Sequence, residues 1–516
     1  MSQSSIAWVV PRRALGPRRV PLWFALATVL AAQVAVAAAV PILPEEAYHW
    51  NYARHPDWSY FDHPPMIAWS IALGRSVLGD TPLGVRLIPL LFALGTMWVL
   101  ARMARQWYGD SAAQWAVLLY ALIPAAFLVG VWGFPDSPML FFWALTLTWV
   151  WRALESCRPA WWLAAGAALG AGLLSKYTAA FLVPSVLLYL LRSSRDRRWL
   201  ATPWPYLAGI CSLLVFAPVI YWNWTHDWAS FRFQSVGRFQ AAKGFSVRAG
   251  LQSAAEQLLM FLPLTVPLAI VTVWRGATSG RPSDQFLFCA FAVTLAFFIP
   301  LGWTPSFHLL WPLPAYLALT MSMAGGIASR VDRVSRWYQA RAGWLVGCGV
   351  CMAVVVGLHG AWVLPGIPPL RESYGWDEVA DRARALRGTM PDDTFYLAAG
   401  GRPYAPASQL AFHLATPSQV YGANLIGMEA LQYRYWANPA ELAGNDAVVV
   451  AAGEDQFTNV EAALKEYFVW VEPVDRLLVP VGRFSSWPRQ RPPWHFKLYR
   501  AYGYHPAPSI TSDRSH

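Results

Sequence analysis

Residues 20–50 read VPLWFALATVLAAQVAVAAAVPILPEEAYHW. No charge interrupts the run from Val20 to Val40, which then meets Pro41, Pro44 and a pair of acids, Glu45 and Glu46. About twenty apolar residues are what a helix needs to cross the hydrocarbon core of a bilayer. The run lacks a small-residue cleavage site, so it reads as a retained anchor rather than a removed signal peptide. A membrane span that ends directly on two carboxylates decides the class of the fold and points to where chemistry is to be sought.

The pattern repeats along the chain. Further apolar blocks fall near 84–101, 112–131, 137–151, 160–175, 177–191, 200–221, 251–273, 285–301, 307–325 and 343–364, predicting about eleven transmembrane helices. Hydrophobic residues make up 56% of the 516 and charged residues 13%, about half the charged fraction of a soluble domain. Many of the 30 tryptophans stand near span ends, where indole rings anchor at the membrane surface.

Lys and Arg set the orientation. One set of loops, which includes Arg12, Arg102, Arg158, Arg195 and Arg333, holds 18 basic residues, and the other holds 7. The first set is assigned to the cytoplasm together with the N-terminus. The net charge of +11 is mostly this bias and calls for no nucleic-acid partner. After an odd number of spans, residues 365–516 lie outside. Helix-like stretches (Asp377 to Leu386, Ser408 to Leu414) alternate there with strand-like ones (Thr394 to Ala398, Ala447 to Ala452, His495 to Tyr499), predicting an extracytoplasmic α/β domain. The division is therefore a membrane body at 1–364 and a polar domain at 365–516. The five cysteines all precede that domain, so no disulfide staples it.

Ionisable residues collect on the outer face, where their desolvation cost marks them as functional candidates. The long first loop holds Glu45, Glu46, Asp57, Asp62 and His63, with Pro64 and Pro65 stiffening the chain after them. Its apolar stretch Met66 to Leu78 is too short to span and is expected to lie along the interface. Asp136 follows the third span, Lys176 and His308 stand at span ends, and His226, Arg232, Arg238 and Lys243 share one outer loop. Each has an ordinary reading as well. Glu45 is a solvated acid at a helix end, Asp62 and His63 an ion pair, and Asp136 an N-cap. Lys176 is a snorkelling cation, and Arg232 and the two histidines are surface groups. Together they supply carboxylates that take a proton or hold a metal, and cations that neutralise a phosphate.

The ordered stretches LPEEAYHW, FDHPPMIAW, PDSPMLFFWAL, SKYT and HDWASFRFQ resemble the polyprenyl-phosphate-sugar-dependent glycosyltransferases of the GT-C fold over roughly residues 20–325. Similar groups are the bacterial lipid A aminoarabinose transferases, the rhizobial galacturonosyl transferases and the protein O-mannosyltransferases. The C-terminal domain resembles that of the bacterial group more loosely. The resemblance implies an inverting transfer of a sugar from a polyprenyl phosphate to a hydroxyl acceptor, either a glycolipid, a lipopolysaccharide glycan or a protein. Glu45 stands where the family has Asp as catalytic carboxylate, one methylene longer, with Asp136 as the second catalytic acid. Tyr60, Arg232 and His308 match positions around the donor phosphate, His63 stands where relatives have a lysine, and Lys176 is expected to hold the phosphate's charge with them. Asp62, Asp136 and His226 match positions that approach one divalent metal such as zinc. No nucleotide cofactor is implied, because the donor arrives on a lipid. A lipid-linked-sugar transporter and a non-catalytic assembly subunit are the competing classes.

The charge bias makes a direct prediction about sidedness. In a cysteine-free background, Ser235→Cys should react with a membrane-impermeant thiol reagent in intact cells. Reaction only after the cells are broken would reverse the topology.

Overall fold

The computed structural model describes residues 22–237, 244–260, 265–341 (apart from 306, 309 and 331), 372–479 and 494–506. The expected span at 343–364 and the boundary at 364/365 lie outside them.

Helix α1 (Leu22–Ala39) is the first apolar run. After Pro41 the chain turns by 76° into α2 (Pro44–Arg54), a polar helix that carries Glu45 and Glu46 in its first turn. The sequence places residues 41–83 in one long outer loop; within it, Pro44 at the first helical position starts a helix where no free N–H is required. The apolar stretch Met66 to Leu78 forms helix α3 (Met66–Leu78). It exposes Trp69, Leu73 and Val77 on one side and buries Ile67 and Ile71 on the other. It packs on α4 (Pro82–Tyr108) so closely that a Cβ on Gly74 would meet the Gly84 carbonyl oxygen at 2.2 Å.

The remaining blocks form α5 (Asp110–Leu122), α6 (Pro124–Val131), α7 (Asp136–Ser156), α8 (Ala160–Ser175), α9 (Leu182–Arg192), α10 (Trp204–Thr225), α11 (Ala229–Arg232), α12 (Val247–Met260), α13 (Val266–Thr278), α14 (Pro282–Leu301), α15 (Leu313–Ser329) and α16 (Arg333–Ala340). Helices α5 and α6 are one run bent by 73° where Pro124 interrupts the hydrogen-bond ladder. Among the described residues, α4, α10 and α14 are individually long and apolar enough to cross a membrane, and the two bent pairs raise that number to five. Helices α8 and α10 cross through Gly166 and Gly170, whose added Cβ atoms would lie 2.3 Å and 2.7 Å from the carbonyl oxygens of Ala208 and Ser212. Small residues four apart let two membrane helices approach backbone to backbone.

The C-terminal part is an α/β unit. Its five strands are β1 (Phe395–Ala399), β2 (Val420–Tyr421), β3 (Ala447–Ala452), β4 (Phe468–Val479) and β5 (Trp494–Tyr504), in the order β2-β1-β3-β5-β4. The β1 strand runs parallel to β2 and β3, and β5 runs antiparallel to β3 and β4. Every residue of β1 and β3 is buried, which explains their unbroken apolar runs. Helices α17 (Trp376–Arg387), α18 (Ala405–Leu414) and α19 (Phe457–Tyr467) complete the unit. The sequence reading missed β2, β4 and α19. The β4 strand lies at the edge of the sheet, leaves all but its two end residues partly or fully exposed and carries charges, so it lacks a buried strand's signature.

This domain and the first loop share a core. Trp50, Tyr52 and Ile67 pack in one cluster with Trp376, Leu410 and Val448. Gln409 Nε2 donates to the Ile42 carbonyl (2.9 Å), and the Phe61 N–H donates to Gln432 Oε1 (2.6 Å).

Inside the membrane body, Arg86 of α4 is fully buried and ion-paired with Glu46. Its guanidinium also donates to the carbonyls of Ala37 (2.8 Å), Val40 (2.7 Å) and Pro41 (2.9 Å), the freed acceptors at the end of α1. Glu46 further accepts from the N–H groups of Leu43 (2.9 Å) and Gly133 (2.8 Å). Breaking a buried pair strands a charge, so Arg86→Met should lower stability by about 3–5 kcal/mol. The loss should be seen as a lowered unfolding midpoint in detergent, with Arg86→Lys recovering only part. A wild-type midpoint for Arg86→Met would remove the pair from the role given to it.

Candidate active site

In the first turn of α2, Glu45 precedes the buried Glu46 and points about 100° away from it around the helix. The two acids thus separate in role: Glu46 is structural and Glu45 stands at a cleft. One turn later, His49 lies on the same helical face as Glu45. It is fully buried and its Nδ1 lies 3.1 Å from the Gly133 carbonyl oxygen. His63 arrives from the loop after α2, its ring centroid 5.1 Å from that of His49. One ligand atom from each of Glu45, His49 and His63 lies within 4.8 Å of the others.

Asp62 is buried beneath this group. It accepts hydrogen bonds from the Tyr48 hydroxyl (3.1 Å) and from the Tyr52 hydroxyl. Burial holds both phenols well above their usual pKa, so they remain donors. Tyr48 stacks on Tyr404 of the C-terminal domain at 4.5 Å. Across the cleft, Lys176, which follows α8, donates to both carboxylate oxygens of Asp136 at 2.7 and 2.8 Å. Asp136 is therefore not the N-cap of α7: Pro135 occupies that position, and the carboxylate turns to the lysine.

The electrostatics follow from this packing. Glu45 is half-buried, and desolvation pushes its pKa up to about 7. Lys176 and Arg402 oppose the rise, whereas Asp136 and Asp62 add to it. Burial pulls His49 down to about 3, and the neighbouring His63 acts in the same direction, so His49 is neutral.

Beside the cluster opens a cavity of about 220 Å³. Asp62, His63 and Lys176 line its polar end, and Phe181, Phe297, Phe298, Leu301 and Trp311 form an apolar wall. Gln234 also lines it and donates to the Asp62 carbonyl oxygen at 2.6 Å.

The structure thus gathers Glu45, Asp62, His63, Asp136 and Lys176, drawn from four separate stretches of sequence. Four expectations change. Tyr60 is fully buried against Tyr52, with its hydroxyl donating to the carbonyls of Tyr52 (2.9 Å) and His55 (3.2 Å), so its polar atom is engaged away from the cavity. Arg232 is exposed and outside the cavity lining. His308 is exposed and absent from the cavity lining, with its ring 5.0 Å from that of Trp311. Asp62, Asp136 and His226 do not converge as ligands: Asp136 is held by Lys176, and His226 stacks on Trp222 at 4.1 Å with Nδ1 on the Trp222 carbonyl. The sequence reading missed His49, whose spacing of four from Glu45 becomes a signal only once residues 44–54 are known to be helical. It also missed Arg402 and Tyr404, which chain order separates from Lys176 by more than 200 residues.

Comparison with known proteins bears on this arrangement. The chain aligns over 93% of its length with the crystal structure of ArnT from Cupriavidus metallidurans bound to undecaprenyl phosphate, at a TM-score of 0.64 and 17% identity, covering 98% of that chain. The chain shares the fold of that protein. The arabinofuranosyltransferase AftD from Mycobacteria aligns over 95% of this chain and 40% of its own, at a TM-score of 0.53 and 14% identity. Residues 62–222 match the family described as dolichyl-phosphate-mannose-protein mannosyltransferase. The lipid A galacturonosyltransferase RgtD of Rhizobium johnstonii is 26% identical over 242 residues, 47% of this chain and 50% of that protein. An undecaprenyl phosphate-alpha-4-amino-4-deoxy-L-arabinose arabinosyl transferase of Pseudomonas aeruginosa is 32% identical over 168 residues, 31% of this chain and 30% of that protein. The chain thus spans half or less of the length of these two curated relatives.

Proposed function

We propose that this protein is an integral-membrane glycosyltransferase that moves a sugar from a polyprenyl-phosphate donor to a hydroxyl acceptor on the outer face of a bacterial cytoplasmic membrane. The observation that carries the reading is the two-natured cavity. A phosphate fits beside His63 and Lys176, and a prenyl tail fits along Phe181, Phe297, Phe298 and Trp311. RgtD acts on lipid A, and the ArnT structure holds undecaprenyl phosphate, so a lipid-linked donor and a glycolipid acceptor are consistent with the fold. A glycan or protein acceptor has the same hydroxyl chemistry. In this reading the membrane body makes eleven crossings with a cytoplasmic N-terminus, and the C-terminal domain covers the site from outside.

The reaction is an inverting displacement. Glu45 takes the proton of the acceptor hydroxyl, and that oxygen attacks the anomeric carbon. The bond from that carbon to the phosphate oxygen breaks, and the phosphate leaves with the electron pair. Lys176 stabilises the leaving charge, and Asp136 fixes where the ammonium points. His63 lines the same polar end of the cavity. Asp62, held by two phenols, keeps the loop bearing His63 in register with Glu45. Asp136 is buried and Lys176 largely so, which strengthens their contact.

Two variants test the assignment in protein purified in detergent. Glu45→Gln should reduce transfer by about 10²–10⁴ with expression intact, the usual cost of losing a general base. Wild-type turnover in that variant would move the base elsewhere. For donor binding, a charge-assisted contact is worth roughly 1.5–3 kcal/mol, so Lys176→Met should weaken polyprenyl-phosphate affinity by about one to two powers of ten. Arg232→Ala, which alters an exposed side chain, should leave affinity near wild type. The opposite ranking would place the phosphate in the loop after α10 instead.

A further inference from the structure

We infer that Glu45, His49 and His63 form a site for one divalent cation of the zinc class. Two imidazoles and one carboxylate are a donor set that such ions take with a position left open, whereas magnesium and calcium prefer oxygen. The three ligand atoms already lie within 4.8 Å of one another. Tetrahedral coordination with bonds of about 2.0–2.1 Å to nitrogen separates ligands by about 3.4 Å, so modest side-chain rotation closes the set.

The histidines are oriented for the task. The Nδ1 atom of His49 sits 3.1 Å from the Gly133 carbonyl oxygen, and the Nδ1 atom of His63 sits on the Asp62 carbonyl oxygen. A metal-binding imidazole typically has its other ring nitrogen tied in this way, which selects the tautomer and aims the remaining lone pair. In His49 that remaining atom, Nε2, is fully buried and has no hydrogen-bond partner. A buried polar atom without a partner carries a desolvation cost that calls for an explanation. A bound cation supplies one.

The local charge points the same way. Glu45, Asp62 and Asp136 set three carboxylates around Lys176, and the nearby Arg402 is itself matched by Glu372 at 3.3 Å. An anionic donor entering that surrounding meets an excess of negative charge, which a divalent ion at Glu45, His49 and His63 balances. This part of the argument rests on the proposed lipid-phosphate donor; the ligand geometry does not. Ligation through one carboxylate oxygen leaves Glu45 a second oxygen for the acceptor's proton.

The test uses the full-length protein in detergent, stripped with a chelator and titrated with Co²⁺ while its visible absorption bands are recorded. One equivalent of Co²⁺ should bind and be displaced by Zn²⁺ but not by millimolar Mg²⁺. Loss of even an outer-shell partner commonly costs about 10–100-fold in metal affinity, so His49→Phe and His63→Asn should each weaken Co²⁺ binding by at least that much. His63 is on a loop and half-buried, so its variant serves if His49→Phe fails to fold. Absence of a stoichiometric Co²⁺ spectrum in the wild type, or an unchanged spectrum and affinity in His63→Asn, overturns the site. Binding is read with no donor present. Protein that takes up Co²⁺ but transfers no sugar therefore sinks the proposed function and keeps this site, and the reverse result does the opposite.

Discussion

The buried ion pair between Glu46 and Arg86 is the constraint on which the site depends. Arg86 stands in the second turn of α4, fully buried, where an unmatched guanidinium would be costly. Its donors reach the three carbonyls that end α1 and both oxygens of Glu46. The same carboxylate holds the Gly133 N–H, whose peptide neighbour, the Gly133 carbonyl, meets His49. One charge pair therefore locks the α1–α2 bend, the turn before Asp136 and the tilt of the His49 ring. A buried pair of this kind adds little net stability over an apolar isostere, but it permits few alternative geometries.

The second constraint comes from outside the membrane. The C-terminal sheet buries its own two central strands and uses the helices of one face to cover α2 and α3. The contacts are directional: Gln409 and Gln432 each bond to first-loop backbone, and the Tyr48 hydroxyl accepts from the Gln432 N–H at 3.0 Å while serving Asp62. The Tyr48, Tyr52 and Tyr404 rings then form a rigid aromatic floor. Aromatic packing of this kind adds about 0.5–1.5 kcal/mol per pair beyond burial, and here it chiefly removes freedom from the loop that carries Asp62 and His63.

Between these two supports the cleft divides by polarity. The carboxylates, Lys176 and the imidazoles come from helix ends and loops, where backbone turns release side chains from lipid. The apolar wall comes from α14 and its neighbours, whose Phe297 and Phe298 continue the membrane interior up to the polar groups. Such a junction suits an amphipathic substrate, because each half stays in the surroundings it prefers while the reacting bond sits at the boundary.

The sequence alone determined the helical membrane class, the polar α/β character of the C-terminal part and most of the residues that meet in the cleft. These features are written in local quantities. Apolar length marks a span, Pro marks a bend, and an ionisable residue beside an apolar run carries a desolvation cost wherever it lies. Glu45, Asp62, His63, Asp136 and Lys176 were legible for that reason. Only the tertiary structure decided their roles. Glu45 and Glu46 are chemically alike and adjacent, yet a helical turn of about 100° per residue sends one to Arg86 and the other to the cleft. Tyr60 and His226 carry suitable groups, but backbone carbonyls and stacked rings claim them first. His49, Arg402 and Tyr404 were invisible, because nothing along the chain reports a partner that arrives through packing, and packing determines which polar atoms are left facing one another.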